Sequence, residues 1–121
     1  MERKVDAFEM WCYRRMLKIS WKDKVSNKEV LQKIQCQMHF LKQMQKRKME
    51  YAGHVLRGSS GYTHLCILEG KVAGKRPVGR PRLTWMNDII SWSELNNYEQ
   101  VKRKAEDKVK WRSMVVDLFR R

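Results

Sequence analysis

In 121 residues the chain carries 27 Lys and Arg against 13 Asp and Glu, a formal charge of +14. That length bounds it to one domain, compact or loosely bipartite, and the charge favours polyanionic partners. With 42% apolar residues and five Trp it is too rich in core-formers for a basic disordered tail, and it has no apolar run of bilayer length.

The opening Met1-Glu2-Arg3-Lys4 leads into an amphipathic segment rather than a signal peptide. Over residues 4–19, Val5, Phe8, Trp11, Cys12, Met16 and Ile19 recur at threes and fours, the period of one helix face, which is expected to point inward. Arg14, Arg15 and Lys18 fall mostly on the other side. Ser26-Asn27-Lys28-Glu29 has the form of a capping box, so a second helix starts at Ser26 or Asn27. Its apolar spacing runs through Val30, Leu31, Ile34, Met38, Leu41, Met44, Tyr51, Val55 and Leu56 without a proline, a pattern equally that of one long helix or of two. Gly58-Ser59-Ser60-Gly61 ends it.

A short helical stretch follows through Leu65 and Leu68. From Gly70 the composition changes, and residues 71–82 are predicted to be an extended arm with Pro77 and Pro81 in it. A helix is expected over 84–94, with Leu83, Trp85, Met86, Ile89 and Trp92 as its apolar set, then a break or cap at Asn96-Asn97. A final helix over 98–119 places Val101, Ala105, Trp111, Val115 and Leu118 on one side. No period-two alternation marks a strand. The expected fold is all-α: a small helical domain with an N-terminal helical part (1–57), a hinge, short helix and extended basic Gly/Pro-containing arm (58–82), and a C-terminal helical pair (83–121).

The arm is the most specific feature. Lys71, Lys75, Arg76, Arg80 and Arg82 are its charged residues, and it contains no acid. An extended basic strand can follow phosphates or lie in a minor groove. Gly79-Arg80-Pro81 is similar to an AT-hook core, although Val78 stands where a hook carries Arg or Lys; the alternative is a solvated basic linker. A second candidate is the helical run Lys42, Lys46, Arg47, Lys48 and Arg57 with Tyr51 and His54, whose cations recur around the cylinder as a stripe for a nucleic-acid backbone. The cations of the last segment, Lys102, Arg103, Lys104, Lys108, Lys110 and Arg112, are interrupted by Glu106 and Asp107 and read as intrahelical ion pairs. Most of the tryptophans are assigned to packing, with Trp21, between helices, the expected exposed one.

Cys36 with His39, and His64 with Cys66, bring metal-ligand types close together, but the spacing does not match a zinc knuckle or finger, and neither a metal nor a cofactor is expected. The odd, scattered cysteines Cys12, Cys36 and Cys66 fit a reducing compartment, nucleus or cytoplasm. No phosphate loop, nucleophile elbow or converging carboxylate set is present: the adjacent acids Glu106 and Asp107 point in different directions around a helix. An independent enzyme is therefore not expected.

Several blocks together carry a resemblance: residues 6–21 from Asp6 to Trp21, residues 51–57 from Tyr51 to Arg57, and residues 68–76 from Leu68 to Arg76. They continue with Gly79-Arg80-Pro81-Arg82, Thr84-Trp85, Asp88-Ile89, Ala105-Glu106-Asp107 and Lys110-Trp111-Arg112-Ser113. In this order, over nearly the whole chain, they resemble the region that follows the polymerase core in endonuclease–reverse transcriptases of LINE-type (non-LTR) retrotransposons. The resemblance implies a non-catalytic part that helps to hold template RNA or target DNA. The family's paired-aspartate hairpin and acidic nuclease cluster have no matching positions here, which implies a truncated or degenerate copy or an isolated domain. The expected partner is RNA or DNA, held through its phosphates. The alternatives are a module whose amphipathic helices pair with a protein, and a retroelement remnant without a selected role.

Overall fold

The computed structural model describes residues 2–71, 73–75, 78–80 and 83–120. Among these the chain is all-α: seven α-helices, one 3₁₀ turn and no strand. The helices are α1 (Glu2–Met16), α2 (Asn27–Ile34), α3 (Phe40–Leu56), α4 (Tyr62–Glu69), α5 (Trp85–Trp92), α6 (Tyr98–Glu106) and α7 (Lys108–Arg120), with the 3₁₀ turn at Trp21–Asp23. None of the described helices is long and apolar enough to cross a membrane. The chain divides into two compact units, Met1–Gln45 and Lys46–Arg121, and the division falls within the sequence of α3.

Local chemistry sets most of the helix ends. The Ser26 side chain accepts from the N–H of Glu29, whose carboxylate accepts in return from the N–H of Ser26, so the expected capping box starts α2. The apolar run that follows forms two helices: Gln35 adopts a left-handed conformation (φ 57°) and closes α2, and α3 begins only at Phe40. Gly58 and Gly61, with φ of 75° and 91°, lie in the break between α3 and α4. Asn97 caps α6 by accepting from the N–H of Gln100.

The last segment departs from the single helix expected over 98–119. Asp107 takes an extended conformation (φ −86°, ψ 102°), and its Oδ1 accepts from the N–H groups of Val109 and Lys110 at 3.0 and 3.1 Å. The side chain thereby caps a new helix in place of continuing the old one. Residues 83–120 thus hold three helices, not a pair.

The core of unit 1 is small: Met10, Tyr13 and Val30 are buried, with Leu17, Ile19, Val25, Leu31, Ile34 and Met38 packed around them. Glu9 is buried with them and is fully inaccessible. Its carboxylate accepts from the Tyr13 hydroxyl at 2.6 Å and from the backbone N–H groups of His39 and Phe40 at 2.9 and 3.1 Å. A buried acid from α1 therefore satisfies the open N–H groups at the start of α3, where a helix favours negative charge.

This arrangement corrects the expected orientation of α1. Of the residues assigned to the core, Phe8 and Trp11 are each 55% exposed and Met16 72% exposed, Val5 and Cys12 are half-buried, and Ile19 alone packs against the unit 1 core. The buried side is Glu9, Met10 and Tyr13.

Unit 2 has the larger core, built from Met49, Ala52, Leu56, Met86, Ile89, Val101, Ala105, Trp111 and Val115. Trp111 is 2% exposed and donates its indole N–H to the Met49 carbonyl at 3.0 Å. The indole lies against Gly53 of α3, where an added Cβ would stand 2.2 Å from Trp111 Nε1. Only glycine admits the ring so close to the helix.

Candidate nucleic-acid interface

The cations singled out in the sequence fall into different environments. Lys48 ion-pairs with Asp88 and lies 5.0 Å from the ring centroids of both Trp85 and Trp92. Its charge is held between two aromatic faces and a carboxylate, a structural use of a lysine. Arg57 donates from Nη1 to the Ala105 carbonyl at 2.7 Å, joining the end of α3 to the end of α6. Lys46 is half-buried, whereas Arg47 and Lys42 are exposed. Being consecutive, Lys46, Arg47 and Lys48 point in different directions around the helix.

Of the cations expected to form the arm, Lys71 is tied back to the fold. Its ammonium lies 2.6 Å from Glu69 Oε2, while Glu69 Oε1 accepts from Lys102 at 3.0 Å and from the Tyr98 hydroxyl. Lys71 and Tyr98, then Lys102, hold the Glu69 carboxyl down at about 2 against the opposing effect of burial. Gly70, with φ 71°, caps α4 and turns the chain at this anchor. Beyond it Ala73, Gly74, Lys75, Val78, Gly79 and Arg80 are exposed and belong to neither helix nor strand. Arg76 and Arg82, with Pro77 and Pro81, lie outside the described residues.

Other cations are more available than the sequence pattern suggested. Within residues 98–120 the intrahelical pairing expected for α6 and α7 appears, among the described residues, as one ion pair, Lys110 with Asp107 at 3.2 Å. Lys102 instead serves Glu69. Arg103, Lys104, Lys108 and Arg112 are exposed.

The tryptophans divide unequally. Trp111 is buried and Trp85 and Trp92 are partly buried against the unit 2 core, while Trp21, at 84% exposed, is in solvent as expected. Trp11 corrects the packing assignment: it stacks on Phe8, with centroids 6.0 Å apart and planes at 20°, and the Arg15 guanidinium sits 5.4 Å from its ring centre. Sequence reading missed Arg15 because it placed Trp11 inside. The available signal was Glu9-x-x-x-Tyr13, an acid and a phenol one turn apart on the opposite face.

A mainly apolar cavity of about 310 Å³ is lined by Tyr51, Val55, His64, Ile67, Leu68 and Trp85, small for a ligand site but walled by the edge-to-face pair Tyr51 and Trp85. Cys36 Sγ lies 3.8 Å from His39 Nδ1, and the neighbouring Glu9 carboxylate is taken by backbone N–H groups. Among the described residues no group of three His, Cys, Asp or Glu side chains is placed to hold a metal ion.

Comparison of the chain with protein-family models, curated proteins and solved structures finds no match.

Proposed function

We propose that the protein is a non-catalytic nucleic-acid-binding module that grips RNA or DNA chiefly through its phosphates. The observation that carries this reading is the excess of cations left at the surface, Arg47, Lys75 and Arg80 with the exposed cations of α6 and α7, on a chain of formal charge +14. Phosphate neutralisation needs charge and reach more than a shaped pocket, and a Gly-containing segment leaving the Gly70 turn supplies reach. The resemblance to the region after the polymerase core of LINE-type retrotransposon reverse transcriptases supports the same reading. Arg76 and Arg82 add to the arm's charge by sequence alone. Lys48, Arg57 and Lys71 contribute mainly to the fold, since each is already engaged within the chain.

The test is fluorescence anisotropy with single-stranded RNA, single-stranded DNA and duplex DNA across a range of salt. Log affinity should fall linearly with log salt, and replacing Lys75, Arg76, Arg80 and Arg82 together by Ala should reduce the slope by about 0.7–0.9 for each phosphate no longer neutralised. An unchanged slope in that variant would remove the arm from the interface. Weak binding of all three ligands would favour the other reading, a helical protein-interaction module, which the exposed Met16 and Met44 of unit 1 support.

A further inference from the structure

The outward face of α1 has an order that the core-facing reading hid. Lys4, Phe8, Trp11 and Arg15 follow one another at spacings of four, three and four residues, within about 60° of arc on a helix of 3.6 residues per turn. All four are exposed. The acids of this helix, Glu2, Asp6 and Glu9, lie around the other side of the cylinder by the same geometry.

The face therefore reads cation, ring, ring, cation. Phe8 and Trp11 are nearly parallel, and the guanidinium of Arg15 adds a third flat group over the indole. Phe8 also touches Phe40, with centroids 6.5 Å apart, which limits how far its ring can swing. At 55% exposure each ring leaves a large part of its surface in water, a loss that burial in the small unit 1 core would have avoided.

We infer that this face is a stacking site for the unpaired bases of single-stranded nucleic acid, with Phe8, Trp11 and Arg15 as the stacking groups and Lys4 and Arg15 bracketing them for the flanking phosphates. The rings accept any base, because every base has a π-face, and a guanidinium plane stacks on bases as well. A duplex offers no free base faces to such a ladder. An acidic protein segment would also satisfy the two cations, but it would not need two parallel rings between them. The inference rests on the nucleic-acid reading for its class of ligand, and adds a second binding surface, on a different helix, that selects single strands.

The experiment compares full-length wild type, Trp11→Ala, Trp11→Phe and the four-residue arm variant in binding to oligo(dT), oligo(U) and a duplex of the same length. Each variant is first checked by far-ultraviolet circular dichroism and sedimentation. Trp11→Ala should bind single strands roughly 5- to 150-fold more weakly, the loss of one stacked base, with duplex affinity and salt slope as in wild type. Trp11→Phe should recover most of that loss. The arm variant should weaken all three ligands and flatten the slope. Single-strand affinity unchanged in Trp11→Ala, while wild type binds all ligands with a steep salt slope, would overturn the stacking site and leave the phosphate reading standing. Wild type that binds none of the ligands would overturn both. Self-association of wild type abolished by Trp11→Ala, with unaltered nucleic-acid binding, would reassign the face to a second copy of the chain.

Discussion

The two units use the same residue types in opposite ways. In Lys46–Arg121, Trp111 is buried, Trp85 and Trp92 flank a core, and three cations hold elements together: Lys48 against the two indoles, Arg57 on the Ala105 carbonyl and Lys102 on Glu69. In Met1–Gln45, Trp11 and Trp21 are exposed, and Arg15 covers an indole at the surface. Each unit also keeps one carboxylate largely out of water with three donors, Glu9 in the first and Glu69 in the second. An aromatic period in a sequence thus tells which residues share a helix face, and the long-range partners decide whether that face goes in or out.

Removing the acid should have the largest effect. Glu9→Ala leaves the His39 and Phe40 N–H groups and the Tyr13 hydroxyl without their acceptor, at a cost of roughly 3 kcal/mol. That is about what burying one whole aliphatic side chain contributes, a large fraction of what the three buried residues of unit 1 supply. Hydrogen exchange at the amides of 39 and 40 should accelerate strongly while the unit 2 amides stay protected; equal loss in both units would mean that they unfold as one. Gly53→Ala is the corresponding test in unit 2. Alanine gains up to about 1 kcal/mol of helix propensity, but the clash with Trp111 should exceed it, for a net loss of roughly 2 kcal/mol in thermal unfolding. Stabilisation would mean that the indole can retreat.

Acid should weaken both units. Burial alone would raise the Glu9 carboxyl, yet donation from Tyr13, His39 and Phe40 outweighs it and holds the group below its ordinary value. Glu69 is held down at about 2 from an ordinary 4.5. A depressed carboxylate contributes stability that is fully present above its unfolded value and lost as pH falls through the folded one. For Glu69 that window runs from 4.5 down to about 2. Glu69→Gln should flatten the acid limb for unit 2 and leave that of unit 1, followed by pH-dependent exchange or resolved side-chain signals. The smallest effect separates structural from binding cations. Lys48→Ala should lower stability by about 1 kcal/mol, because its pair with Asp88 is partly exposed and the aromatic neighbours carry the rest. Lys75→Ala should leave the melting temperature unchanged and alter only the salt slope.

Much of the fold was legible from short-range chemistry. The Ser26 box, the Gly58 and Gly61 break, the change at Gly70 and the Asn97 cap each need only a few consecutive residues, and the apolar set Val101, Ala105, Trp111 and Val115 is buried as the period indicated. The candidate site was less legible. Composition revealed the charge, but whether a given lysine serves the fold or faces solvent depends on partners such as Asp88, which is 40 residues from Lys48. Asp107 shows a middle case: aspartate is a favoured cap, but it also suits an exposed helical position, and nearby lysines made the second reading attractive.

By itself, the sequence determined that this chain is helical, where most of its helices begin and end, and that it carries a large positive charge, because capping, glycine conformations and net charge are local or additive properties. The tertiary structure alone decided which face of α1 is buried, where the α2–α3 run divides, and which cations remain outside. These outcomes depend on meetings such as that of a carboxylate with N–H groups 30 residues away and that of a lysine with an aspartate 40 residues away. Helical periodicity relates residues three and four apart, so it carries no information about either meeting.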